Sequence, residues 1–298
     1  MKAENTFRSG FVAIVGRPNV GKSTLLNRII GEKIAIVSNR PQTTRNTILG
    51  IYNAPDVQIV FMDTPGYHQP KTRLGNYMVQ SIQDALEGIE TMMVLTDTSN
   101  CREKDADFIS EMSEKKCRKL LVLNKIDLVE PKDLLGIIQR FRDLGYDEIY
   151  PVSAKTGDGI DELLQDLTSH LPKGPKYYPD DMITDQPERA ICAEIIREKA
   201  LLNLTDEVPH GIGVEILSFN ASDTLIEIHA TIYCERDSHK AIIIGKNGSK
   251  IKEIGSQSRH DIEQLLNTHV NLQLWVKVRQ DWRNNPLDLK TLGYIKQK

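Results

Sequence analysis

The chain has 298 residues, with 38 Lys and Arg against 41 Asp and Glu and a formal net charge of −3. That length suits two domains, and the near-balance of charge excludes a protein that holds nucleic acid by bulk charge, so any basic surface is local. No apolar run approaches the ~20 residues that cross a bilayer, residues 1–8 lack a secretory apolar core, and Cys101, Cys117, Cys192 and Cys234 show neither disulfide nor metal spacing; the expected compartment is the reducing cytosol.

In chain order, short apolar runs at 11–15, 57–62, 91–96, 120–123 and 148–152 predict strands. Amphipathic stretches at 22–30, 72–90, 104–114, 131–144 and 159–170 predict helices between them. Such alternation gives an α/β domain with a mostly parallel sheet covered on both faces. This first domain is expected to span residues 1–172. The Pro-, Gly- and Tyr-rich stretch from Pro172 to Asp181 has no period, and 173–186 is the expected linker. Residues 187–298 form a smaller α+β domain. Its expected elements are a helix over 187–204, strands over 214–219 and 225–233 around a turn at 220–223, an apolar run at 242–244, a helix ending at Leu266 and a strand over 270–278.

Gly16-Arg17-Pro18-Asn19-Val20-Gly21-Lys22-Ser23 fits G-x-x-x-x-G-K-[ST] and falls between a buried strand and a helix. Its backbone N–H groups and helix N-terminus cradle phosphate, Lys22 reaches the β and γ phosphates, and Ser23 supplies a hydroxyl to Mg²⁺. Thr24 is read with this loop as nucleotide-binding. Asp63-Thr64-Pro65-Gly66 closes the strand at 57–62. Asp63 would hold the cation through water, and the Gly66 N–H would meet the γ-phosphate. Between these motifs, Thr43 and Thr44 both qualify chemically as the second hydroxyl on the cation, and spacing does not choose between them.

Asn124-Lys125-Ile126-Asp127 follows the strand at 120–123, on the edge where doubly wound sheets bind ligands. A carboxylate at Asp127 accepts from guanine N1–H and the 2-amino group; adenine lacks both donors, which would strand the buried acceptor. Ser153-Ala154-Lys155 after the last strand stands where a backbone N–H meets guanine O6. The five elements in this order resemble the translation-factor-related GTPases. The phosphate loop and the Thr-Thr-Arg stretch are most similar to the Era-type branch. That resemblance implies that Thr44, directly before Arg45, is the cation ligand. It also implies that Asn19 helps bind K⁺ near the phosphates; the residue type alone reads equally as a turn position. Tyr67 stands where Ras-like enzymes carry a water-orienting glutamine, so intrinsic GTP hydrolysis is expected to be slow.

In the second domain, Gly245-Lys246-Asn247-Gly248 lies between an apolar segment and an amphipathic helix. Such a GxxG turn is the core of KH modules, which clamp about four single-stranded nucleotides. Lys240, Lys246, Lys250 and Lys252 fall within a stretch free of acids, giving the local basic surface. The order of elements is that of a type II KH fold, and the tandem resembles Era-type proteins over nearly the whole chain. The resemblance implies binding of the small-subunit rRNA 3′ end, a role in small ribosomal subunit maturation, and peripheral association with the bacterial inner membrane. A rival reading makes the second domain a docking module for a protein or membrane. Nothing demands more than a monomer. Trp275 is expected to pack inside, and the histidines form no ligand cluster.

Overall fold

In the computed structural model the described residues are 7–38, 40, 42–100, 103–204, 208–222 and 224–295. Cys101, and Asp223 of the expected turn, lie outside them. The chain divides into two compact units, described separately below. The first contains the described residues of Met1–Ala35, Thr44–His68 and Met78–Asp185; the second contains those of Ile36–Thr43, Gln69–Tyr77 and Gln186–Lys298.

The first unit holds a six-stranded sheet in the order β2-β3-β1-β4-β5-β6. Its strands are β1 (Arg8–Gly16), β2 (Ile48–Ala54), β3 (Val57–Asp63), β4 (Thr91–Asp97), β5 (Arg118–Asn124) and β6 (Glu148–Val152). All pairings are parallel except β2 with β3. The helices are α1 (Lys22–Ile30), α3 (Glu103–Ser113), α4 (Pro131–Phe141), α5 (Ile160–His170) and, from Met78 onward, α2 (Arg73–Ala85), whose first residues belong to the second unit. One core layer gathers Leu25, Leu26, Phe61, Leu163 and Leu167; the other gathers Met92, Val94, Phe108, Leu121 and Phe141. The central strands are buried on both faces and read as unbroken apolar runs.

Strand β2 was not expected from the sequence. It is antiparallel and at the edge, its last three residues are only half-buried, and Gly50 interrupts its apolar residues, so it offers no continuous apolar run. Gly50 is required there by packing: a Cβ would lie 2.6 Å from a Leu26 methyl. Residues 172–183, which show no period in the sequence, are ordered by partners far away in the chain. Ser9 N–H donates to the Pro172 carbonyl at 3.2 Å and Ile51 N–H to the Ile183 carbonyl at 2.8 Å. The fully buried Gln58 accepts the Tyr177 and Tyr178 N–H groups on Oε1 (2.7 and 3.0 Å) and donates Nε2 to the Tyr178 carbonyl at 2.8 Å.

The second unit contains α6 (Glu188–Asn203), β7 (Gly213–Ala221), β8 (Leu225–Cys234), α7 (Asp237–Ile244), α8 (Ser249–Leu266), β9 (His269–Val278) and α9 (Pro286–Thr291). The sheet order is β7-β8-β9, with β7 antiparallel and β9 parallel to β8. Ile195, Ile196, Ile228, Ile232, Ile254 and Ile262 lie in the core shared by this sheet, α6 and α8. The run at 242–244 ends α7. Trp275 corrects an expectation: it is 41% exposed and meets His229 edge-on at 5.4 Å, because alternation along β9 buries Val270 and Val276 and turns Trp275 to the other face.

Past β9 the chain makes a short turn at Trp282–Asn284 and then α9, neither of which has an apolar period long enough to predict. Trp282 is fully buried; its indole N–H donates to the Gly211 carbonyl at 2.9 Å and its ring stacks near Tyr294 at 6.1 Å. Trp282→Ala is expected to cost about 3–5 kcal/mol, read from urea unfolding of the full chain by circular dichroism, with GTP affinity preserved.

Candidate functional site: a phosphate loop, two hydroxyls and one buried carboxylate

The loop from Gly16 to Ser23 joins β1 to α1. Asn19 (φ 65°) and Gly21 (φ 99°) adopt left-handed backbone, which turns successive N–H groups toward one side. Gly21 has a second constraint, since a Cβ there would stand 2.2 Å from Asn124 Nδ2. Lys22, only 6% exposed, donates Nζ to the Gly16 and Arg17 carbonyls at 3.2 and 3.1 Å. Burial pushes its ammonium down to about 8, against the opposing pull of Asp63. Arg17 pairs with Asp105 at 3.4 Å, and Val20 is buried.

Asp63 ends β3 with no solvent exposure. Its Oδ2 accepts from the Ser23 hydroxyl at 2.6 Å and from the Thr44 hydroxyl at 3.5 Å, and the two hydroxyls are 2.9 Å apart. Its Oδ1 has no hydrogen-bond partner among the described residues. Burial raises this carboxyl to about 6, although Lys22, Ser23 and Thr44 all favour the charged form. Two hydroxyls and a carboxylate with one unsatisfied oxygen, all buried, form a donor set suited to a hard cation such as Mg²⁺. The Thr43 hydroxyl donates to the Arg40 carbonyl at 2.6 Å, whereas the Thr44 hydroxyl faces Ser23 and Asp63.

The following residues are tied to the phosphate loop. Thr64 donates its hydroxyl to the Ile14 carbonyl at 2.8 Å, and Tyr67 N–H donates to the Gly16 carbonyl at 3.0 Å. Pro65 is buried. A Cβ on Gly66 would lie 2.9 Å from Pro18 Cα, so this glycine is required by close approach to the loop. The Tyr67 ring packs on Phe108 at 4.9 Å, and its hydroxyl donates to the Glu111 carboxylate at 3.2 Å.

A pocket next to the loop is lined by Gly21, Thr24, Asn124, Asp127, Ala154 and Lys155, among others. Asn124, 1% exposed, donates Nδ2 to the Val20 carbonyl at 2.8 Å and accepts the Ala154 N–H on Oδ1 at 2.9 Å. One side chain thus joins the phosphate loop to the Ser153–Lys155 turn. Ser153 donates to Asp127 Oδ1 at 2.7 Å, fixing the carboxylate that faces the pocket. Lys125 donates to the Asn19 carbonyl at 2.9 Å and pairs with Asp97 at 2.6 Å. Asp97 was not singled out in the sequence; its position at the end of β4, beside Asn124 in the register, is the signal.

In the second unit, the GxxG turn stands between α7 and α8. Gly245 (φ 73°), Asn247 (φ 51°) and Gly248 (φ 76°) all have left-handed φ, and a Cβ on Gly245 would lie 2.7 Å from Lys250 Cβ. Lys246 sits in the turn, Lys240 on α7, and Lys250 and Lys252 on α8. Lys250 also pairs with Glu253 at 3.2 Å, an acid just past the stretch read as purely basic. Beside the turn is a cleft of ≈ 400 Å³ between α8 and β9, with Lys252, Gly255, Ser256 and Arg259 on one wall and Leu272 and Leu274 on the other. Ser256, Arg259 and the two leucines were not among the sequence candidates, because no motif marks them; the packing of α8 beside β9 brings them together.

A phosphate loop, a buried carboxylate with two hydroxyls, and a base pocket set by Asn124 and Asp127 define a P-loop GTPase. The comparisons agree: the model of the 50S ribosome-binding GTPase family matches residues 11–125, and that of the KH domain matches residues 207–283. The chain is 51% identical over 292 residues to the GTPase Era of Ruminiclostridium cellulolyticum, covering 97% of this chain and 98% of that protein. It is 50% identical over 293 residues to the GTPase Era of Clostridioides difficile, covering 97% and 99%. The chain belongs to the Era family of GTPases. Among solved structures, Era in complex with MgGDPNP and nucleotides 1506–1542 of 16S ribosomal RNA superposes with a TM-score of 0.93 at 39% identity, covering 97% of this chain and 99% of that one. A variant of Aquifex aeolicus Era bound to GDP·AlF4⁻ gives 0.92 at 39% identity with the same coverage.

Asn124→Ala severs both bridges of that side chain and leaves Ala154 N–H and the Val20 carbonyl without this partner. The expected result is a loss of about tenfold to a hundredfold in affinity for GTP and GDP alike, measured with fluorescent nucleotides.

Proposed function

We propose that this GTPase couples the state of its nucleotide to the binding of single-stranded small-subunit rRNA near the 3′ end, in maturation of the small ribosomal subunit. The observation that carries the reading is the meeting of Ser23, Thr44 and Asp63 on one buried point in a chain that also carries a GxxG turn beside a basic, apolar-walled cleft. The Era bound to MgGDPNP and 16S rRNA nucleotides, similar over nearly its whole length, supports it.

On this reading, N–H groups of residues 16–24 hold the phosphates and Lys22 presents its ammonium to the β and γ oxygens. Ser23 and Thr44 give hydroxyl oxygens to Mg²⁺ while Asp63 holds it through water; the cation when bound neutralises charge on the phosphates. Gly66 N–H donates to the γ-phosphate, and hydrolysis ends that bond. Asp127 accepts from guanine, with Ser153, Ala154 and Lys155 closing the other edge. Asn19 would help hold K⁺ near the phosphates, where the ion would supply positive charge. The Tyr67 phenol is tied to Glu111 and packs on Phe108, so it does not replace an amide that both donates and accepts; water is oriented poorly and turnover is slow.

In the second domain, Lys240, Lys246, Lys250 and Lys252 hold phosphates while Gly245, Asn247 and Gly248 let the backbone approach closely, and bases lie along the cleft. The chain acts as a monomer in the cytoplasm and at the inner face of the membrane; no helix among the described residues is long and apolar enough to cross a bilayer.

Gly248→Asp combines a strained left-handed φ with a negative charge at the phosphate clamp. It is expected to weaken binding of single-stranded RNA from the small-subunit rRNA 3′ end more than tenfold with GTP affinity unchanged; unchanged RNA binding favours the docking-module reading. Single-turnover GTP hydrolysis is expected to be faster in KCl than in NaCl, and equal rates remove the role given to Asn19.

A further inference from the structure

Two stretches from the first half of the sequence belong to the second compact unit, and one of them, Ile36–Thr43, ends directly before Thr44. One boundary between the units therefore falls on the Thr43–Thr44 peptide bond. On one side of it, Thr44 directs its hydroxyl to Ser23 and Asp63. On the other side the segment is held by α6. Glu198, 2% exposed, accepts the Val37 N–H at 2.8 Å. Arg197, fully buried, donates to the Thr43 carbonyl while pairing with Glu194. Arg40 donates to the Leu204 carbonyl, just past the end of α6, at 2.9 Å.

Neighbouring buried charges are expensive, and an ion pair serving only to stabilise α6 would work as well on the surface. Arg197 is moreover incompletely satisfied, since its Nη1 has no hydrogen-bond partner among the described residues. What its burial achieves is a charge-assisted bond to one carbonyl of a segment without regular structure. The peptide unit is planar, so fixing the Thr43 carbonyl sets the direction in which Thr44 N and Cα leave it. Glu198 also pairs with Lys199 at 3.3 Å, and Lys199 with Asp261 of α8 at 2.6 Å, so the helix that walls the RNA cleft is joined to the same anchors.

We propose that Arg197 and Glu198 are positioning residues for GTP hydrolysis, acting through the Thr43 carbonyl and the Val37 N–H to hold the Thr44 hydroxyl at the cation. This rests on the reading of Thr44 as a cation ligand in the GTP-bound state. GDP, which lacks the γ-phosphate that orders this segment, needs neither anchor.

The test uses the full chain with Arg197→Gln, Glu198→Ala, Glu198→Gln and Thr44→Ala. Dissociation of a fluorescent non-hydrolysable GTP analogue and of fluorescent GDP is followed against free Mg²⁺, beside single-turnover hydrolysis and thermal unfolding. Arg197→Gln, Glu198→Ala and Thr44→Ala are each expected to raise the Mg²⁺ concentration for half-maximal retention of the analogue about tenfold, the equivalent of one charge-assisted hydrogen bond. GDP retention stays within about twofold and hydrolysis slows. Glu198→Gln, which keeps the acceptor for Val37, is expected to behave as the parent chain. A shift for Thr44→Ala but for neither α6 variant overturns the positioning role and leaves the Thr44 reading intact. No shift for Thr44→Ala overturns both. Equal weakening of analogue and GDP together with a lowered unfolding temperature assigns Arg197 and Glu198 to stability alone and overturns the proposal. Should Arg197→Gln fail to fold, Glu198→Ala against Glu198→Gln decides.

Discussion

The GTPase unit depends on one fully buried carboxylate. Asp63 sits at the end of a central strand, in register with Ile14 of β1, and burial raises its pKa against the pull of Lys22 and two hydroxyls. A group held at that cost organises its surroundings. Ser23 comes to it from the first turn of α1, Thr44 from the chain entering β2, and Lys22 lies within its field. The parallel pairing of β1 with β3 places the phosphate loop and Asp63 at the same sheet edge, and Thr64 locks this register by bonding back to Ile14. Close packing then dictates Gly66, because the segment after Asp63 runs against Pro18.

The base side of the site follows a different logic. Asn124 makes its hydrogen bonds to backbone, one to each of two separate loops, and so sets the spacing between phosphate loop and the Ser153–Lys155 turn. Ser153 and Lys125 repeat the pattern by orienting Asp127 and by tying Asn19 to Asp97. On the proposed function, the Ser153 hydroxyl thus orients the Asp127 carboxylate toward the guanine base. The second unit prepares its turn through backbone: three residues with left-handed φ bring the chain round so tightly that Gly245 has no room for a side chain.

Much of this was legible in the sequence, for physical reasons that differ by element. Strands β1, β3, β4 and β5 are buried on both faces and therefore announce themselves as apolar runs. Gly16–Ser23, Asp63–Gly66 and Asn124–Asp127 are contiguous, so the chemistry each performs is written in adjacent residues, and the order of the motifs was enough to expect a GTPase. The GxxG turn was legible for the same reason. Strand β2 escaped because an edge strand with a glycine has no such run, and Trp275 was misjudged because a lone tryptophan on a strand does not say which face is covered.

What the sequence by itself determined is thus everything that depends on neighbours along the chain: the phosphate loop, the base-reading turn, the alternation that makes a parallel sheet and the tight turn before α8. Only the tertiary structure decided what depends on neighbours in space. It pointed the Thr44 hydroxyl at Asp63 and the Thr43 hydroxyl at the Arg40 carbonyl, and it gave Asn124 its two partners. It ordered residues 172–183 on Gln58, and it brought Arg197 and Glu198 to the segment that ends at Thr43. The reason is range: a side chain's identity limits the bonds it is able to make, but hydrogen bonds and packing act over a few ångströms, and which groups come that close is settled only when strands pair and helices pack.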